Sequence, residues 1–267
     1  MLELLEQLFR QVRAYMHSEH FNRQQIFEQS SEHTTMQFDR EAEDLIIEGL
    51  TASGHGFEVI TEERPLICTS EQPAYRIVVD PVDGSTNVAR GILSAGVSLA
   101  VLPIDAPVTP EYVQWALVGE LYSGTVYQAE CERGAYCNGR RCQVSEITRY
   151  QDCLAGINLD RRDASAVQRL LCTDTLPAGT RRSGSSAMDL VYVASGAYDA
   201  YVDIGEILTG ESFLAAAMIV REAGGLVTDA QGQPLVPIKD LRQGFSLVAA
   251  ATPVLHNAIL QLLAIRD

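Results

Sequence analysis

Two carboxylates three positions apart, Asp80 and Asp83, close an apolar run and are followed by Gly84 and the hydroxyls of Ser85 and Thr86. A hard divalent cation prefers carboxylate and carbonyl oxygens and keeps water in its open positions, so this set suits such a cation. The element that must present it is a short buried strand at residues 77–79, because β-branched Ile77, Val78 and Val79 favour a pleated surface. Pro81 has no N–H for a ladder and Gly84 tolerates any φ, so the strand is expected to end here, with the carboxylates at the mouth of a sheet. A solvated Asp-Pro/Asp-Gly turn without chemistry is the competing reading of these residues alone.

The full string Asp80-Pro81-Val82-Asp83-Gly84-Ser85-Thr86-Asn87 resembles the D-P-[IVL]-D-G-[TS]-T-N signature of the inositol monophosphatase family. That family sits in a superfamily of metal-dependent sugar and inositol phosphatases that includes fructose-1,6-bisphosphatases. Upstream, the strand Phe57–Thr61 is followed by Glu62 and Glu63, where the family places a Glu-Glu pair. Residues 35–43, with Asp39, Ala42 and Glu43, are similar to its T-x-x-D-x-x-A-E segment with one extra residue before the Asp. Residues 129–139 resemble its A-x-x-G-x-G-A-x-x-N-G hairpin, and 181–196 its substrate-side R-x-x-G-S segment, through Gly184 and Ser185. Glu222-Ala223-Gly224-Gly225 matches its E-A-G-G.

The resemblance implies roles. Glu62, Asp80, Asp83 and the Val82 carbonyl would hold Mg²⁺, or Mn²⁺ in its place, with Glu62 helping to polarise the attacking water. Ser85 with Asp39 would orient that water, while Gly84, Ser85 and Thr86 hold phosphate and Gly184, Ser185 and Asp203 face the substrate. It also implies a homodimer. Taken singly, Glu62, Glu63 and Asp39 read as surface carboxylates, Asp39 also as a helix N-cap.

One position departs. Ten residues before Glu222 the family carries an Asp that gives a third carboxylate to the second metal, and here Ser212 stands there. Ser caps a helix start but supplies no charge. Glu211 is adjacent, yet neighbouring helical residues point about 100° apart, so a weakened second metal site is the favoured reading over substitution by Glu211. The alternative function follows from Ser212 alone: a pseudo-phosphatase that keeps the fold and binds a ligand or partner.

Composition sets the frame. Against 35 Asp and Glu stand 20 Lys and Arg, a net charge of −15 that disfavours nucleic acid and anionic membranes as partners. A phosphate ester needs bound cations to reverse that sign locally. No run suits a bilayer span, the N-terminus is acidic, and six cysteines lack any C-x-x-C pair, which reads as a reduced, cytoplasmic enzyme. Zinc at Cys131, Cys137 and Cys142 is a minor alternative. The pairs Arg161-Arg162 and Arg181-Arg182 read as solvated surface or as a cationic rim for phosphate.

Helical spacing of Leu5, Leu8, Phe9, Val12 and Met16 gives an N-terminal amphipathic helix. A second helix follows Asp39, strands crowd residues 57–128, and helices alternate with strands beyond residue 146, including helices at 164–171, 187–194 and 212–223. The expected fold is α/β, a sandwich of alternating helix and sheet layers. Its N-terminal lobe, residues 1–145, would carry the metal site, and its C-terminal lobe, 146–267, would complete the substrate site. The expected function is Mg²⁺-dependent hydrolysis of a small inositol or sugar phosphate by metal-activated water.

Overall fold

A computed structural model describes residues 1–29, 34–62, 64–172 and 174–264; Glu63 and His33 lie outside them. The chain opens with α1 (Leu2–Met16), a two-stranded antiparallel pair β1 (Ile26–Gln29) and β2 (Thr34–Met36), and α2 (Gln37–Ala52). Eight strands then form one sheet: β3 (Phe57–Thr61), β4 (Arg64–Cys68), β5 (Tyr75–Asp83), β6 (Gly96–Pro103), β7 (Trp115–Glu120), β8 (Val126–Glu130), β9 (Gly134–Cys137) and β10 (Arg140–Arg141). A short helix, α3 (Ser85–Arg90), leaves the end of β5. The strand order is β10-β9-β8-β7-β6-β5-β3-β4, antiparallel except where β3 runs parallel to β5.

The second sheet joins β11 (Leu154–Asn158), β12 (Gly179–Arg181), β13 (Ala200–Leu208), β14 (Leu226–Thr228) and β15 (Phe245–Ala250) in the order β12-β11-β13-β15-β14. Helices α4 (Ser186–Ala194) and α5 (Gly210–Glu222) lie between the sheets, and α6 (Pro253–Ala264) closes the chain. The helix expected at Ala164–Leu171 is a 3₁₀ helix.

Strand alternation sorts the side chains into three cores. Ile77 and Val79 face α1 and α2, whose Leu5, Leu8, Phe9, Phe38 and Ile46 fill the first. Val78 faces the other way, into a middle core where Leu190, Phe213 and Leu214 of α4 and α5 meet Tyr201 and Leu247 of the second sheet. Ala200, Val202 and Val248 face outward onto Leu255 and Ile259 of α6. Both faces of β5 are thus buried, which is why its sequence is a continuous apolar run rather than an alternation. The helix layer from the second half of the chain serves both sheets, and the site grows where it meets the end of β5. No described helix is long and apolar enough to cross a membrane.

Candidate active site

β5 does not stop at Asp80. It runs through Pro81 to Asp83, and against β6 the partners Asp80–Ser98 and Asp83–Gly96 leave one extra residue on β5. This bulge accommodates a proline, which has no ladder hydrogen to give. It also resets the pleat, since regular alternation would send residues i and i+3 to opposite faces. Both carboxyls therefore meet the middle helices. Asp80 Oδ2 accepts the Ser212 hydroxyl of α5 at 3.0 Å, and Asp83 Oδ2 accepts the Ser185 hydroxyl and the Ala187 N–H, each at 2.6 Å.

Gly84 then turns the chain with φ +105°, and a Cβ there would lie 3.1 Å from the Ser94 carbonyl, so a side chain would be both strained and crowded. In α3, Asn87 Nδ2 donates to the Ser94 and Ser183 carbonyls at 2.7 Å, binding the strand end to the segment that carries Gly184 and Ser185. Ser85 Oγ lies 2.7 Å from Asp39 Oδ1 and 2.8 Å from the Val82 carbonyl. Asp39 is not the N-cap of α2. It stands at the third helical position and closes the turn from inside, accepting the Met36 N–H at 3.1 Å.

Glu62 occupies the turn between β3 and β4, and Glu43 of α2 grips that turn on both sides. The Thr61 hydroxyl donates to Glu43 Oε1 at 2.7 Å and Arg64 Nε to Oε2 at 2.6 Å. Glu43 is fully buried. Its place in the acidic segment 35–43 was the only sequence signal for it.

Glu62, Asp80 and Glu211 converge: one oxygen from each lies within 4.8 Å of the others. Among the described residues this is the one such gathering of His, Cys, Asp and Glu ligand atoms, so Cys131, Cys137 and Cys142 form no zinc set. Burial, then the charges of Asp83, Glu62 and Glu211, push the Asp80 carboxyl well above its ordinary range. Burial and the nearby Glu62 raise Glu211 to about 8. Asp83 is raised by burial to about 6, held back by its bonds from Ser185 and Ala187 and by the Arg182 charge. Glu211 Oε2 is buried and has no hydrogen-bond partner among the described residues. Desolvated like charges around an orphaned carboxylate oxygen fit a divalent cation.

A cleft of about 840 Å³ opens beside Glu62 and Glu211, between Arg64, Pro65 and Leu66 on one side and residues 239–242 on the other. Lys239, the only lysine in the chain, and Arg242 stand at its wall, both exposed.

The profile of the Inositol monophosphatase family matches residues 1–266. The chain belongs to that family. It is 32% identical over 243 residues to a fructose-1,6-bisphosphatase/inositol-1-monophosphatase of Methanothermobacter thermautotrophicus, covering 86% of this chain and 84% of the relative. It is 31% identical over 232 residues to an inositol-1-monophosphatase of Mesorhizobium japonicum, covering 84% and 80%. The extragenic suppressor protein suhB of Bartonella henselae superposes with a TM-score of 0.84 at 26% identity, over 100% of this chain and 99% of that one.

Within this inositol monophosphatase frame several residues singled out in the sequence have partners that the sequence did not show. Ser212 does not cap α5: the helix starts at Gly210 behind Thr209, and the Ser212 hydroxyl turns to Asp80 instead. Asp203 already has both oxygens engaged. It is fully buried, both oxygens are gripped by Arg162 at 2.8 Å, and Asn158 Nδ2 and the Tyr201 hydroxyl add bonds at 2.7 and 3.2 Å. Arg182 likewise is no free rim cation, since it pairs with Asp189 at 3.0 Å and Asp160 at 3.1 Å, whereas Arg181 is exposed. Ser185 is fully buried and acts on Asp83 rather than outward; Thr86 is exposed.

Proposed function

We propose that this protein is a Mg²⁺-dependent phosphomonoesterase that hydrolyses a small inositol or sugar phosphate, with Mn²⁺ able to replace Mg²⁺. The observation that carries the reading is the meeting of Asp80 with Glu62, which lines the cleft, inside a chain of this family. Glu62, Asp80, Asp83 and the Val82 carbonyl would hold the cations. Bound divalent cations supply Lewis acidity toward phosphoryl oxygens and lower the pKa of water.

The chain's own residues do the rest. Ser85 and Asp39, already hydrogen-bonded, orient the attacking water and take up its proton through the Ser85 hydroxyl. The backbone at Gly84 and the exposed Thr86 hydroxyl hold phosphate oxygens. Lys239, Arg242 and Arg181 offer positive charge to the substrate in a chain that is otherwise strongly acidic. A cytoplasmic homodimer belongs to the same reading, supported by the family resemblance and by six cysteines that are all free.

The test is phosphate release from a panel of inositol and sugar phosphates, with Mg²⁺, with Mn²⁺ and with chelator. Turnover is expected only with a divalent cation, and Asp80→Asn, nearly isosteric but neutral, should reduce it to background. Wild-type turnover by Asp80→Asn would refute the assignment.

A further inference from the structure

We infer that Glu211 is a metal ligand in this chain, supplying from the second position of α5 the carboxylate that Ser212, at the third, does not. The inference rests on the metal-dependent reading above and assigns a residue to it that the family pattern does not contain.

Three observations carry it. The Glu211 carboxyl gathers with Glu62 and Asp80 inside 4.8 Å, while Ser212 beside it on the helix also reaches Asp80. Oxygens in one six-coordinate shell at about 2.1 Å stand roughly 3–4 Å apart, so a small contraction onto a cation closes the set. Glu211 Oε2 is buried without a hydrogen-bond partner among the described residues, in a side chain that is only 2% exposed. An orphaned buried carboxylate oxygen is costly, and a cation that accepts it removes that cost.

The third observation is what Ser212 does in exchange. Its hydroxyl donates to Asp80 Oδ2 at 3.0 Å, while Oδ1 accepts the Val82 N–H at 3.2 Å. Each Asp80 oxygen has capacity for about two partners, so both keep a lone pair for a cation. The short side chain therefore orients a ligand, and the longer one beside it brings the charge. The backbone fixes this choice. The Ser98 hydroxyl of β6 donates to the Glu211 carbonyl at 3.0 Å, and Gly210 packs so close to Ile238 that a Cβ would lie 2.6 Å from it. The first turn of α5 is thus held against β6 on one side and the loop before β15 on the other. The extra methylene of Glu then spans what an Asp at that position would not.

The experiment is calorimetric titration of the full chain with Mg²⁺ and with Mn²⁺, with no substrate present. Glu211→Gln should weaken binding by at least 10–100-fold, the range that even indirect changes around a metal typically produce. Glu211→Asp, which keeps the charge but withdraws it, should lose comparable affinity. The double variant Glu211→Gln/Ser212→Asp should recover most of it, because the charge returns from the neighbouring position. Melting curves in chelator check the fold, and Glu211→Gln should melt no lower than wild type, since it removes one of several crowded like charges. Unchanged affinity in Glu211→Gln overturns the inference and leaves the metal-dependent reading standing. A wild type that binds neither ion yet releases phosphate in chelator overturns both.

Discussion

Glu43 holds both sides of the turn that carries Glu62. It is fully buried, and it receives the Thr61 hydroxyl and the Arg64 guanidinium from the two sides of the turn, with Arg40 a further 3.3 Å away. Glu43→Gln keeps the shape and removes the charge, leaving Arg64 to Asp44 alone, a partner that is half exposed. We expect a stability loss of about 1–3 kcal/mol in urea unfolding, the usual range for an unmatched buried polar contact. Half-saturating Mg²⁺ should rise with it, since Glu62 loses its fixed turn. A variant that loses stability but titrates normally would leave Glu62 held by something else. At this scale the sequence was readable where the candidate residues sit in one contiguous string: Asp80, Asp83 and Ser85 follow one another at the end of β5, and Asp39 meets Ser85. It was not readable where a partner lies far along the chain. Arg162 claims Asp203 from 41 positions away, and nothing local announces it. The nearness of Glu211 to Glu62 and Asp80 was hidden for another reason: a rule about side-chain directions takes no account of the reach of a longer side chain.

Among the elements, the strands that sequence reveals are those with short apolar runs, β-branched in β3 and β5 and mixed in β6 and β15. The edge pieces β4, β10 and β12 carry Arg, Pro, Gly and Cys, have two to five residues, and are held by neighbours rather than by propensity. The course of β5 through Pro81 needed knowledge of the β6 register, which fixes the bulge. A similar long-range tie holds the β8–β9 hairpin. Its turn places Glu132 at φ +62° and Gly134 at φ +87°, and Glu222 at the end of α5 accepts both N–H groups, at 2.9 and 2.7 Å. This gives the glutamate of E-A-G-G a structural task. Glu222→Ala should cost about 1–3 kcal/mol by leaving those donors unmatched, with the strained turn adding to the loss. The gathering of Glu62, Asp80 and Glu211 lies at the opposite end of α5, so the affinity of the proposed metal site should stay within twofold. A large change in Mg²⁺ titration would mean that the helix moves as a rod and transmits the loss to Glu211.

The whole molecule is five layers thick, and its acidic groups converge where the middle layer meets the first sheet. With that placement stability is expected to depend on pH and on cations together. Asp83 and Glu211 have folded pKa values of about 6 and 8, against ordinary values of 3.8 and 4.5, and Asp80 is shifted in the same direction. The folded state therefore binds these protons more tightly than the unfolded chain does. Their contribution is fully present below pH 4 and is lost as pH rises through about 6 and then 8. In chelator, with enough salt to screen the net charge of −15, the melting temperature should fall between pH 5 and pH 8.5. Cations bind the deprotonated carboxylates, so Mg²⁺ should raise the melting temperature more at pH 8.5 than at pH 5. At a hundredfold excess over its dissociation constant a ligand adds about 2.7 kcal/mol, enough to read easily in a melt. Asp80→Asn should flatten both dependences, because it removes one of the charges that the proton or the cation must neutralise. A chelated wild type whose melting temperature does not change across that range would mean that the carboxylates ionise freely in water, and that the site is more open than its burial implies.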